Sequence, residues 1–202
     1  MSITFSVSGN KALPKGVELL LWPLQQGQAA GRLMPKLRKL SFGGAWAQAE
    51  LMAVHDRRYP PFVGVIGLGG SADSLARQAE GLRRGLGKLV QEGRRHSLRT
   101  IGIDLRGRVE ATNVLAEAAV EAVELANYRF TEYVPRLQRE QAARGIRRVI
   151  LLVDANQQRA VRLALTRAQT ILRGVQLALH LVNQPASAVS PRFLVETTRS
   201  IV

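Results

Sequence analysis

The sequence predicts an α/β fold, a mixed, largely parallel sheet with helices on both faces. Three observations predict it. Strand-like and helix-like segments alternate through the second half of the chain. Val17–Trp22 and Phe62–Leu68 are near-continuous apolar runs, as in strands covered on both sides. The segment after the second run places Leu75, Leu82, Leu86 and Leu89 on one helical face.

The elements follow in order. Ile3, Phe5 and Val7 alternate as in a half-buried strand. Val17–Trp22 is read as a buried strand that stops at Pro23, because proline supplies no ladder donor. Ala29–Leu40 reads as a short helix despite Gly31 and Pro35, Ser41–Gly44 as a turn and Trp46–Val54 as a strand. Phe62–Leu68 is the clearest strand, preceded by Tyr59-Pro60-Pro61 and followed by Gly69-Gly70. A helix is expected over Ser74–Glu92, with Arg77, Arg84, Lys88 and Arg95 on a face away from the leucines. Then come a strand over Arg99–Leu105, an alanine-rich helix over Asn113–Asn127 and a strand over Arg147–Val153. Asp154 is placed to cap a long helix, Gln157–Val182. Pro185 and Pro191 interrupt the pattern, and a further helix starts at Pro191. The break between Gln184 and Pro191 is taken as a domain border. It gives a domain over 1–155, a connecting helix over 156–183 and the beginning of a second domain over 184–202.

Composition excludes several chemistries. The 202 residues include no cysteine, which removes disulfides, cysteine-bound zinc, iron–sulfur clusters and thiol catalysis. His55, His96 and His180 lie far apart and without HExxH-type spacing, so they read as surface or packing residues. No apolar run reaches membrane-spanning length, and the N-terminus lacks the basic and apolar regions of a signal peptide. A cytoplasmic protein with no membrane partner is expected. The net charge is +14, almost all arginine, since Lys11, Lys15, Lys36, Lys39 and Lys88 are the only lysines. Such an excess attracts polyanions. It is either a nucleic-acid footprint, with Arg77, Arg83, Arg84, Lys88, Arg94 and Arg95 as candidate phosphate contacts, or an arginine-rich solvated surface. The scarcity of interleaved aromatics favours the second reading.

Gly67-Leu68-Gly69-Gly70-Ser71-Ala72, between a strand and a helix, formally satisfies the dinucleotide pattern G-x-G-x-x-G/A. The acidic residue that should follow at the end of the next strand is misplaced. Glu92 sits at a helix end, and Asp104 comes too late. A tight strand-to-helix turn that needs small residues is the preferred reading. Ser71 has no evident histidine partner, and there is no nucleophile elbow. Glu117, Glu121 and Glu124, at spacings of four and three, read as a solvated helix face.

Two segments resemble the leucyl (cytosol-type) aminopeptidases. Val63-Gly64-Val65-Ile66-Gly67-Leu68-Gly69, a helix with Leu82-Arg83-Arg84 and Gly87, and the strand Ile101-Gly102-Ile103-Asp104-Leu105 follow the order of that family's amino-terminal domain. Gly174 through Pro191 is similar to the family's helix ending in Ala-Arg-Asp-Leu-Val-Asn-Thr-Pro, followed by a Thr-Pro that opens the next helix. Ala178, Leu181, Val182, Asn183, Pro185 and Pro191 match, whereas Leu179 and His180 replace Arg-Asp and Gln184 replaces Thr. Asn127-Tyr128-Arg129-Phe130 with Tyr133 resembles the family's Tyr-x-Phe-x-x-Tyr stretch.

The resemblance implies a macro-domain-like fold, with Gly67, Gly69, Asn183, Pro185 and Pro191 in structural roles. It also implies a parent exopeptidase whose catalytic domain binds two divalent metals, zinc or manganese, and forms hexamers. The family's Asn-Thr-Asp-Ala-Glu-Gly-Arg signature does not occur here. The chain is therefore expected to hold no metal or other cofactor and no catalytic residue. Its expected role is assembly or regulation, with the catalytic domain or other subunits as partners, and the alternative is a DNA-binding module.

Overall fold

The computed structural model describes residues 3–28, 37, 40–107, 112–142 and 145–201. Six strands form one sheet: β1 (Thr4–Ser8), β2 (Leu19–Leu24), β3 (Ala49–Ala53), β4 (Phe62–Gly67), β5 (Thr100–Asp104) and β6 (Arg148–Leu152). Their spatial order is β1-β6-β5-β2-β4-β3. All neighbours are parallel except β3, which pairs antiparallel with β4 at one edge. This is the mixed, largely parallel sheet that the apolar runs predict.

The helices are α1 (Leu75–Arg95), α2 (Thr112–Asn127), α3 (Arg136–Ala142), α4 (Gln158–Asn183) and α5 (Pro191–Ile201). α1, α2 and α4 pack side by side in one layer. α1 lies over β4 and β3, and α4 over β1. Strand alternation sends Leu19, Leu21, Ile66, Ile101, Ile103, Val149 and Leu151 into the core beneath this layer. Leu20, Leu24, Val63, Val65, Ile150 and Leu152 point to the opposite face. There they pack with Met52 and Val54, with Leu37 and with partly buried Phe42 and Tyr59. Leu37, helical in conformation and buried, belongs to the helix predicted over Ala29–Leu40, most of which lies outside the described residues.

Three local expectations are corrected. β2 does not stop at Pro23 but runs to Leu24. Its pairing with β5 ends at Leu21, while its pairing with β4 continues to Leu24. Leu24 turns its carbonyl to β4, where it accepts from Leu68 N–H, so alternation turns the Pro23 nitrogen toward the side where the ladder has ended. Asp154 makes no capping bond. Its Oδ2 accepts instead from Gly107 N–H at 2.8 Å, and a short 3₁₀ turn, Ala155–Gln157, leads into α4. Trp46 and Ala47 lie in a turn before β3 rather than in it, with Ala47 at φ 57°.

Candidate functional site

The Gly67–Ser71 segment joins β4 to α1. A Cβ on Gly67 would fall 1.9 Å from Ala45 O, so the close backbone approach there admits only glycine. Gly69 has φ 90°, a conformation that L side chains rarely adopt, and donates to Gly44 O at 3.2 Å. Gly70 N–H donates to Asp73 Oδ2 at 2.8 Å, and Asp73 Oδ1 pairs with Arg77 Nε at 2.9 Å. Ser74 caps the helix through its side chain, which accepts from Arg77 N–H at 3.3 Å. The positive end of α1 is thus met by the chain's own carboxylate, where a dinucleotide would bring its pyrophosphate. That is the geometry of a tight turn.

All six candidate phosphate contacts lie on α1, and five of them are engaged. Arg77 pairs with Asp73, Arg84 with Glu80 at 2.8 Å, and Arg95 with Glu92 at 2.6 Å. Arg83 reaches across to Glu121 of α2. Arg94 donates through Nη1 to Asn127 O at 2.8 Å and Oδ1 at 2.9 Å, and burial, with nearby Arg129, lowers its pKa. Lys88 is exposed. Arg77, Arg84, Lys88 and Arg95 are all exposed on α1, and the three arginines each lie beside a carboxylate. Arg77 and Arg84 are both 5.0 Å from the centre of the Trp46 ring, whose Nε1–H donates to Arg77 O at 2.7 Å. The indole edge rests on Gly81, so this tryptophan and the two guanidiniums pack as a stack along α1. Sequence reasoning missed Trp46 because its partners lie about thirty residues away, beyond any local pattern.

For Glu121 and Glu124 the expected solvated face is corrected. Glu121 ties α2 to α1 through Arg83, and Glu124 ties it to α4 by accepting from Gln176 Nε2 at 2.8 Å. Burial raises the Glu124 pKa against the opposing effect of that hydrogen bond. These are interhelix contacts, because α2 lies between two helices and both its flanks meet neighbours.

A second cluster forms at the end of α4. Leu172 is the last buried residue of this helix, which continues eleven residues to Asn183, roughly 16 Å at 1.5 Å per residue. Near its end, Gln184 Nε2 donates to Glu132 Oε2 at 2.5 Å, and Gln184 Oε1 accepts from Tyr133 Oη at 2.5 Å. His180 Nε2 lies 3.4 Å from Glu132 Oε1, and its ring packs 5.8 Å from that of Phe130. His180 and Gln184 are two of the positions where the sequence departs from the aminopeptidase pattern, and both bind the segment after α2. Asn183 Nδ2 donates to Leu179 O at 2.7 Å within the helix. Pro185 follows the extended Gln184, and Pro191 is the first residue of α5, where a missing N–H costs nothing.

Among the described residues no group of three or more His, Asp or Glu side chains is placed to hold a metal ion. Among them, too, no helix is long and apolar enough to cross a membrane.

Comparison with known proteins locates this architecture. Residues 21–134 match the profile of the cytosol aminopeptidase family, N-terminal domain. A probable cytosol aminopeptidase of Thermosynechococcus vestitus is 34% identical over 140 residues, which cover 68% of this chain and 26% of that protein. The fold superposes on the bottromycin maturation enzyme BotP in complex with Mn with TM-score 0.68 and 21% identity, over 91% of this chain and 36% of that one. It superposes on a tomato leucine aminopeptidase variant with TM-score 0.68 and 16% identity, over 99% of this chain and 42% of that one. These two likenesses are of fold. The chain spans about a quarter of the length of the curated relative.

Proposed function

The chain belongs to the cytosol aminopeptidase family through that family's N-terminal domain, and from this premise we propose that it is a non-catalytic accessory domain of a cytoplasmic aminopeptidase-like protein, acting in assembly or regulation. Its partner on this reading is a peptidase domain that carries two divalent metals. The reading rests on one observation above all, the change in α4 at Leu172. Up to that residue Val161, Ala164, Leu165, Ala168 and Leu172 close the core. Beyond it the helix carries Val175, Ala178 and Val182 on its surface, and α5 adds exposed Leu194 and Val195. A complete domain body followed by an apolar, projecting helix suits a part that is seated against another domain.

A pair of catalytic metals needs carboxylates that bridge the ions and hold the attacking water. The residues described here do not fit such a pair, because no three metal-binding side chains converge. No hydrolytic step is therefore assigned to them. The test is hydrolysis of a leucyl chromogenic substrate by the purified chain with manganese or zinc added. The expected result is no turnover. Turnover abolished by a chelator would overturn the reading.

A further inference from the structure

We propose that the outer edge of β1 pairs with β1 of a second copy, antiparallel about a twofold axis at Ser6, so that two six-stranded sheets become one. The inference is independent of the aminopeptidase reading, since it rests on the backbone of one strand and the charge around it. Thr4 N–H donates to Arg147 O at 2.8 Å, and Ser8 O accepts from Val153 N–H at 3.0 Å. Both therefore face β6. Successive residues of a strand turn their N–H and C=O groups to opposite sides, so Phe5 and Val7 turn theirs outward. Among the described residues β1 pairs with β6 alone. Phe5 and Val7 together offer two donors and two acceptors. An antiparallel twofold centred on Ser6 sets Phe5 of one copy opposite Val7 of the other, and all of these groups are satisfied. Such a set is complementary to itself, which is what an isologous contact requires.

The edge is also unguarded. Strand edges that must stay free usually carry charges, proline or a bulge. Ile3–Asn10 has no charged residue and no proline, whereas β3, at the other edge, carries Glu50. In a chain of net charge +14 an uncharged edge is where a second copy meets least repulsion. Thr4 and Ser6 are exposed.

The helix above the edge points the same way. α4 lies at the β1 end of the helix layer, with α2 on its inner flank. Its outer flank, opposite Gln176, which bonds Glu124 of α2, carries Ile171, 53% exposed. Edge pairing brings this side chain toward its counterpart. Arg167 lies one turn before it on the same flank. Its approach to its own copy, added to the net charge, makes the dimer tighter as salt rises, because screening removes repulsion. An acidic extended segment from another protein would show the opposite salt dependence.

The test is sedimentation equilibrium of the full chain at micromolar concentrations and at low and high salt, with amide hydrogen exchange resolved at β1. The expected result is a dimer that tightens several-fold at high salt, with slow exchange at Phe5 and Val7. Ser6→Lys places like charges across the axis and should give a folded monomer with fast exchange at both amides. Ile171→Lys, on a separate element, should weaken the dimer as well, and it carries the test if Ser6→Lys fails to fold. A monomer at every concentration and salt overturns the proposal. So does a dimer in which the Phe5 and Val7 amides exchange freely, or one that a folded Ser6→Lys leaves intact.

Discussion

β4 and the second half of α4 are both rich in apolar residues, yet they meet opposite environments. Phe62–Gly67 is buried along nearly its whole length, with Val63 and Val65 on one face and Ile66 on the other. From Arg173 to Asn183 α4 buries no residue, although Val175, Leu177, Leu179, Leu181 and Val182 all lie there. The difference is position. β4 runs between β2 and β3 with α1 over it, whereas the second half of α4 meets the segment from Phe130 to Tyr133, which leaves Leu177, Leu179 and Leu181 half-buried and Val175 and Val182 exposed. Apolar sequence makes burial favourable, but topology decides whether it happens inside the chain or against a partner. The projecting half is held by polar contacts instead, from Gln176 to Glu124 and from His180 and Gln184 to the segment at Glu132 and Tyr133.

The comparison breaks most visibly at β4. Val65→Asp places an unpaired charge where the native side chain is fully buried, and should lower stability by several kcal/mol in chemical denaturation. An unchanged midpoint would mean that β4 is not the centre of the fold. Gly67→Ala should come next, at roughly 2–4 kcal/mol, because its methyl meets the Ala45 carbonyl and the backbone of both segments must shift. At the other pole the effects are local. Glu132→Gln combined with Tyr133→Phe removes charge and a donor from an exposed cluster, and should cost less than about 1 kcal/mol of global stability. It should nevertheless speed amide exchange in the last two turns of α4.

The smallest expected effect carries a sign. Burial holds the Glu124 carboxyl above its ordinary pKa, so the folded chain binds this proton more tightly than the unfolded chain does. Its contribution to stability is fully present at acid pH, below the unfolded pKa, and is lost as pH rises through the folded value. Glu124→Gln keeps an acceptor for Gln176 and removes the buried charge. It should be slightly more stable than the wild type at neutral pH, and the difference should vanish toward acid pH in melting curves. A wild type that gains relative to the variant as pH rises would reverse the assignment.

Much of the body was legible because local patterns dictate it. The uninterrupted apolar run of β4 and the leucine spacing of α1 needed no distant information, and the Leu-Val-Asn-x-Pro resemblance located the end of α4. Illegible were the choices made by residues far apart in sequence. Pro23 stays in a strand because β5 has already left the ladder at that level. Asp154 serves Gly107 rather than the helix it precedes. Glu121 and Glu124 carry the spacing of a solvated face, and only the placement of α1 and α4 on either side converts them into interhelix contacts. The α1 arginines have the spacing of a basic array, and nearby carboxylates engage most of them. The short helix α3 carries no apolar periodicity, and it too escaped the reading.

The claim that the body is complete while the end of α4 awaits a partner is most directly tested by hydrogen exchange of the isolated chain across a denaturant series. The account predicts that β4 amides exchange only through global unfolding, with full dependence on denaturant, while amides from Gly174 to Asn183 exchange through local opening with almost none. Equal protection and equal denaturant dependence in the two segments would contradict it.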